Sequence, residues 1–305
     1  MSLIQTALIE HTATIGYCWD FSERIGDDYE ITSNKSLGSV VNNVLKLKNS
    51  KVQVIYFGEL HKLNLQDYRI ELERFTEEAL PALKANNVND VIVEFIPDDP
   101  EVEVELRLFY ETGEISRETA PKLFSTINQF IYCAIIEFLK KTKELGIRVH
   151  AGGLSLAEAQ ETILQPDFLD DADLQIKAGD YIKGHTQKKI EELKITGKKI
   201  AIYGGMLHND IKCTPYPATN LGAYLKNEFG NKYVEIDLLV PETLQENDKL
   251  DQIYAAPKGW KKLIPKKGVM TLRKGNSFIV IFPRTKDVKI LDTSDDFLKC
   301  QPAAF

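Results

Sequence analysis

The chain has 305 residues, with 38 Lys and Arg against 45 Asp and Glu, giving a formal net charge of -7. That length suits one large domain or two modest ones and buries a full core without staples. The acidic balance argues against nucleic acid as the main partner, because phosphate binding needs a basic footprint.

Four cysteines, Cys18, Cys133, Cys213 and Cys300, have no CxxC spacing. This is not the pattern of a disulfide scaffold, and it fits a reducing compartment. The start, MSLIQTALIEHTATIGYCWDF, lacks a basic stretch followed by a long apolar run, so no secretory signal is expected. No apolar run approaches the roughly 20 residues a membrane-crossing helix needs. The expectation is a cytoplasmic protein with no membrane span.

In chain order, residues 1–50 read as an N-terminal extension packed on the core, with SLGSVVNNVLKLKN as a short amphipathic helix. VQVIYF (52–57) is a continuous apolar strand of the kind buried on both faces. Apolar residues at helical spacing predict a helix over 65–87, with Pro81 as a possible kink. DVIVEFIP (90–97) is the next strand. Residues 103–145 read as helical with a break near Thr112 and Gly113, ending at a C-cap, Gly146. IRVHAGG (147–153) is a third strand, and Ser155 with Glu158 forms a capping box for the helix that follows.

QPDFLDDADLQIKAGD reads as an acidic loop before the helix YIKGHTQKKIEELK. KKIAIYGG (198–205) is a fourth strand, ATNLGAYLKNEFG a helix and KYVEIDLLVP a fifth strand. This alternation predicts an α/β core over 51–240, with a mostly parallel sheet and helices on both faces. Residues 241–305 form a C-terminal extension with an antiparallel β-hairpin turning near Lys274, Gly275 and Asn276.

Open α/β sheets bind ligands beyond the C-terminal ends of their strands. The sequence places Gly58, Glu59 and His61 there after the first strand, Glu94 on the second, His150 on the third, Tyr203, Gly204, Gly205 and His208 on the fourth, and Glu235 and Asp237 on the fifth. Glu59 and His61 are two apart, so an extended backbone points both to one side. A carboxylate beside an imidazole can orient the ring for proton transfer or supply two ligands to a divalent metal. Glycines allow close backbone approach. Glu94, inside an apolar strand, either ends at the site or faces a basic partner such as Arg148. Arg148 could pair with a carboxylate or a bound anion, and Tyr203 could be core or a proton donor. His11 and His185 read as bland. There is no GxGxxG opening a helix, P-loop, HExxH or GxSxG.

Two GxxH motifs, Gly58 to His61 and Gly205 to His208, each follow a strand, and Glu94 ends the strand between them. This combination resembles the superfamily that joins erythromycin-esterase-like, ChaN-like, TraB and TIKI proteins, over residues 50–240 by order of elements. The resemblance implies Glu59, His61, Glu94 and His208 as catalytic residues. Gly58, Arg148, His150, Tyr203 and Gly205 would bind substrate. It implies a hydrolase of an ester, lactone or peptide bond, acting on a small-molecule or peptide substrate through activated water. The four catalytic residues would become ligands if a divalent metal (Mn, Co or Zn) is used. In a metal-free version a histidine is the general base and a backbone amide near Gly205 stabilises the oxyanion. The alternative is a haem or other small-ligand binding protein of the ChaN type.

Overall fold

The computed structural model describes residues 29–46, 51–59, 66–67, 70–114, 132–168, 171–205, 220–242, 260–285 and 289–290. Its strands are β1 (Glu30–Asn34), β2 (Val54–Glu59), β3 (Gln66–Asp67), β4 (Val88–Pro97), β5 (Arg148–Gly153), β6 (Lys199–Gly205), β7 (Tyr233–Leu239), β8 (Val269–Lys274), β9 (Ser277–Ile281) and β10 (Lys289–Ile290). Eight of them make one sheet in the order β1-β8-β9-β7-β2-β6-β4-β5, and β3 pairs with β10 separately. From β9 through β5 the neighbours are parallel. The β8–β9 hairpin and the β1–β8 pair are antiparallel. This is the predicted α/β fold with its C-terminal hairpin. The hairpin extends the main sheet, and β1, from the first fifty residues, completes the same sheet.

Helix α1 spans Leu37–Lys46. Helix α2 runs from Glu71–Arg74 through a π-helical turn, Phe75–Ala79, into Leu80–Ala85. The wide turn lies just before Pro81, which has no N–H for the carbonyl of Glu77 and whose ring would crowd that carbonyl in a regular helix. The predicted kink is thus absorbed as a π-turn. Helices α3 (Pro100–Thr112), α4 (Tyr132–Leu145), α5 (Leu156–Glu161), α6 (Ala172–Lys194) and α7 (Leu221–Phe229) follow. Gly113 closes α3 in the left-handed conformation at φ 89°, as the predicted break requires. The acidic stretch expected as a loop instead starts α6: the Asp171 side chain accepts from the backbone N–H groups of Asp173 and Leu174.

Burial on the two faces follows strand alternation. Ile55, Phe57, Val91, Val93, Ala201, Tyr203, Val234 and Ile236 face α1, α2, α3 and α4 in one core. Val54, Tyr56, Ile92, Ile200, Ile202 and Tyr233 face α6 and α7 in a second. The order of strands turns around β2. β4 and β5 lie to one side, β6 returns between β2 and β4, and β7 crosses to the far side of β2. A ligand crevice is expected at the C-terminal ends of strands where the winding reverses, here β2, β6 and β7.

Candidate functional site

The ends of β2 and β6 run side by side, with Phe57 opposite Tyr203, Gly58 opposite Gly204 and Glu59 opposite Gly205. On the α2 face, the Tyr203 hydroxyl donates to Glu59 Oε2. The Tyr203 ring packs on Phe75 of the π-turn at 4.6 Å between centroids, and Phe75 meets Phe57 at 4.9 Å. This aromatic stack fixes α2 over the strand ends. It also brings in Glu71, which is 1% exposed at the start of α2. Burial, then the nearby Glu59 charge, pushes the Glu71 carboxyl up to about 8, against the lowering effect of backbone hydrogen bonds and of Arg74. Burial and the Glu59 charge likewise push the Tyr203 phenol well up, so it stays a donor.

On the other face, Gly205 N–H donates to Glu94 Oε2 at 2.7 Å, and the Tyr56 hydroxyl lies 3.5 Å from that same oxygen. Gly204 makes this possible. A Cβ there would stand 2.2 Å from Glu94 Oε2 and 2.7 Å from the Tyr56 hydroxyl. Gly58 is paired with Gly204 on one side and with Asp237 on the other. Asp237 and Glu235 are buried on the Tyr56 face. The Tyr56 phenol is pushed well up, first by burial and then by Glu94, Glu59 and Asp237.

Glu59 and Glu94 therefore reach the same edge of the sheet from opposite faces, Glu59 held by Tyr203 of the adjacent strand β6 and Glu94 approached across β6 by Tyr56 of β2. His61 and His208 lie outside the described residues. The Gly205 N–H itself is taken by Glu94, and the amides that follow it lie outside the described residues. Among the described residues no group of three or more His, Cys, Asp or Glu stands together so as to hold a metal ion. Also among the described residues, no helix is long and apolar enough to cross a membrane.

Arg148 and His150 do not join this edge. Strand β5 begins at Arg148, which pairs with Asp90, and His150 pairs with Ile92. Arg148 thus lies roughly 13 Å and His150 roughly 7 Å before the level of Glu94, at about 3.3 Å per residue, and the His150 ring turns back to Asp90 at the N-terminal end of the sheet. Asp90 is fully buried there and accepts from Arg148 at 2.8 Å and His150 at 3.0 Å, with Lys198 at 3.6 Å. Burial pushes Asp90 up, but the His150 hydrogen bond and the Arg148, His150 and Lys198 charges outweigh it, leaving the carboxyl below its usual value. The alternative of Arg148 pairing with a carboxylate holds, with Asp90 as that carboxylate.

His185, read as bland, bridges two carboxylates. Its Nδ1 is 2.7 Å from Asp98 Oδ2 and its Nε2 is 2.7 Å from Glu158 Oε2. Sequence reasoning also missed Tyr56 and Glu71. The only available signal was a tyrosine in a continuous apolar strand and an acid two residues before another at a helix start.

No protein-family model and no curated protein matches the chain. Among solved structures, the type III effector HopBA1 is similar at a TM-score of 0.48, with 12% identity over 84% of this chain and 98% of that one. The RRSP effector domain of a MARTX toxin from Vibrio vulnificus is similar at 0.41, with 15% identity over 68% of this chain and 33% of that one. The C-terminal region of Pasteurella multocida toxin, reported to hold a thiol-protease-like catalytic triad, is similar at 0.45, with 14% identity over 76% and 29%. The chain thus spans about a third of the length of the two toxin structures.

Proposed function

We propose that the chain is a hydrolase of an ester, lactone or peptide bond, with its site at the C-terminal ends of β2, β4 and β6. The observation that supports this most is the fixing of two carboxylates at one edge: Glu59 by Tyr203, and Glu94 by Gly205 N–H and Tyr56. Preorganised acid and base groups at a strand-end crevice suit activation of water. In this reading one carboxylate, with His61 or His208, takes a proton from water as it attacks the carbonyl carbon. A protonated carboxyl such as Glu71 keeps a proton available at neutral pH for the leaving group, because one buried acid beside another charge stays neutral.

The test is hydrolysis of a nitrophenyl ester, a macrolactone and a mixed peptide library by the protein and by its Glu59→Gln and Glu94→Gln forms. The expected result is turnover of at least one class, lowered by about 100-fold or more in each variant, the range typical of a lost acid or base. Turnover that survives both substitutions, or none of any class, would overturn the proposal.

A further inference from the structure

Helix α5 and the first half of α6 are attached to the rest of the protein differently from the other helices. Leu154, Ala159 and Ala178, with Ile163, Phe168, Tyr181 and Ile182, form a small apolar cluster of their own. Among the described residues, it is the second half of α6, through Ile190 and Leu193, that enters a sheet core. His185 stands at the boundary between these halves. One ring nitrogen meets Asp98, just after β4, and the other meets Glu158 of α5, both at 2.7 Å. Carboxylates only accept, so both contacts are hydrogen bonds when both ring nitrogens carry protons. Loss of either proton leaves a bare nitrogen facing a carboxylate oxygen.

We propose that Asp98, His185 and Glu158 form a pH-sensitive clamp that holds α5 and the first half of α6 against the end of β4. The clamp is fastened when the imidazole is doubly protonated and released when it is neutral. It borders the site edge, because Asp98 follows Glu94 on the same strand exit and its N–H donates to Gly153 at 3.2 Å. Lys188 and Lys189 on α6 act on Asp98, and Lys189 is paired with Glu103 of α3 and with Glu192. Asp99 accepts from the Leu156 N–H at 2.8 Å. Ser155 donates to Glu158 Oε2 from its hydroxyl at 2.8 Å and its N–H at 2.9 Å. Among the described ion pairs, His185 is the cationic partner of Glu158.

The Asp98 hydrogen bond first, then Glu158, raises His185 above its ordinary 6.5 against the lowering effect of burial. Asp98 and Glu158 are correspondingly lowered. A raised folded value means the clamp's contribution is complete below about 6.5 and is lost as pH rises through the folded value. The inference does not depend on the hydrolase reading.

The test is amide hydrogen exchange of the full chain across this pH range. The amides of Ala159 and Leu164, which bond to Ser155 O and Ala159 O, are compared with Leu225 in α7, each corrected for intrinsic exchange. The expected result is a ratio that rises by up to about tenfold per pH unit through the window, and that is flat and high in His185→Gln. A flat ratio in the unmodified protein would overturn the clamp, as would the same rise in His185→Gln. If His185→Gln does not fold, Glu158→Gln is expected to move the rise to lower pH, and an unmoved rise counts against the clamp.

Discussion

The carboxylate of Glu94 lies over the bare α-carbon of Gly204, close enough that a Cβ there would be 2.2 Å from its Oε2. Gly204→Ala is therefore expected to push Glu94 off the Gly205 N–H. The cost should be about 1–3 kcal/mol, the usual range for overpacking, read from urea denaturation. Gly153→Ala makes a sharper comparison. Its Cβ would meet the Glu94 carbonyl oxygen at 2.0 Å and that of Ile96 at 2.9 Å. Backbone gives way less readily than a side-chain tip, so Gly153→Ala should destabilise more. Equal effects would contradict the described packing.

Tyr203→Phe removes the hydroxyl that donates to Glu59 while keeping the ring on Phe75. Loss of a buried donor to a carboxylate costs about 1–3 kcal/mol. The expected outcome is a denaturation midpoint lowered to match, with the fold retained by circular dichroism. A neutral effect would mean the bond does not form.

Glu71 gives stability a pH dependence of opposite sign to that of most carboxylates. Its folded value is about 8 against an ordinary 4.5. Between these values the folded state holds a proton the unfolded chain has lost, so stability falls as pH rises through that window and levels off above it. Glu71→Gln, which imitates the protonated form, should remove this fall and be the more stable form above pH 8. Parallel stability curves for the two forms would contradict it.

Asp90→Asn tests the opposite end of the sheet. The buried carboxylate holds Arg148, His150 and Lys198. Arg148 is largely exposed, so part of the interaction is screened, and the expected loss is about 1–3 kcal/mol. Asp90 is lowered in the folded state. Its contribution is present above the ordinary 3.8 and is lost as pH falls through the folded value. Acid titration of the unmodified protein and Asp90→Asn should converge at low pH.

The sheet was legible because β2, β4, β6 and β7 are buried on both faces and so appear as near-continuous apolar runs. Strand β1 was not, because Glu30–Ser33 are exposed and its single apolar residue, Ile31, is exposed as well. Glu59, Glu94 and the glycines opposite them could be read because they directly follow those runs. His150 was misplaced because the short strand around it offered no mark of where it begins. That start is set by Asp90 on the neighbouring strand, a tertiary fact. His185 and Glu71 sit on charged-looking helices. What makes each unusual is a partner far away in sequence, which no periodicity records.

The most direct measurement is hydrolysis of the ester, lactone and peptide panel by four forms side by side: unmodified, Glu59→Gln, Glu94→Gln and Asp90→Asn. The account predicts that the two strand-end substitutions each remove about 100-fold or more of the turnover. Asp90→Asn should keep it within severalfold at a temperature where it is folded. Retained turnover in Glu59→Gln and Glu94→Gln, or loss confined to Asp90→Asn, would contradict a site at the C-terminal edge and move it to the other end of the sheet.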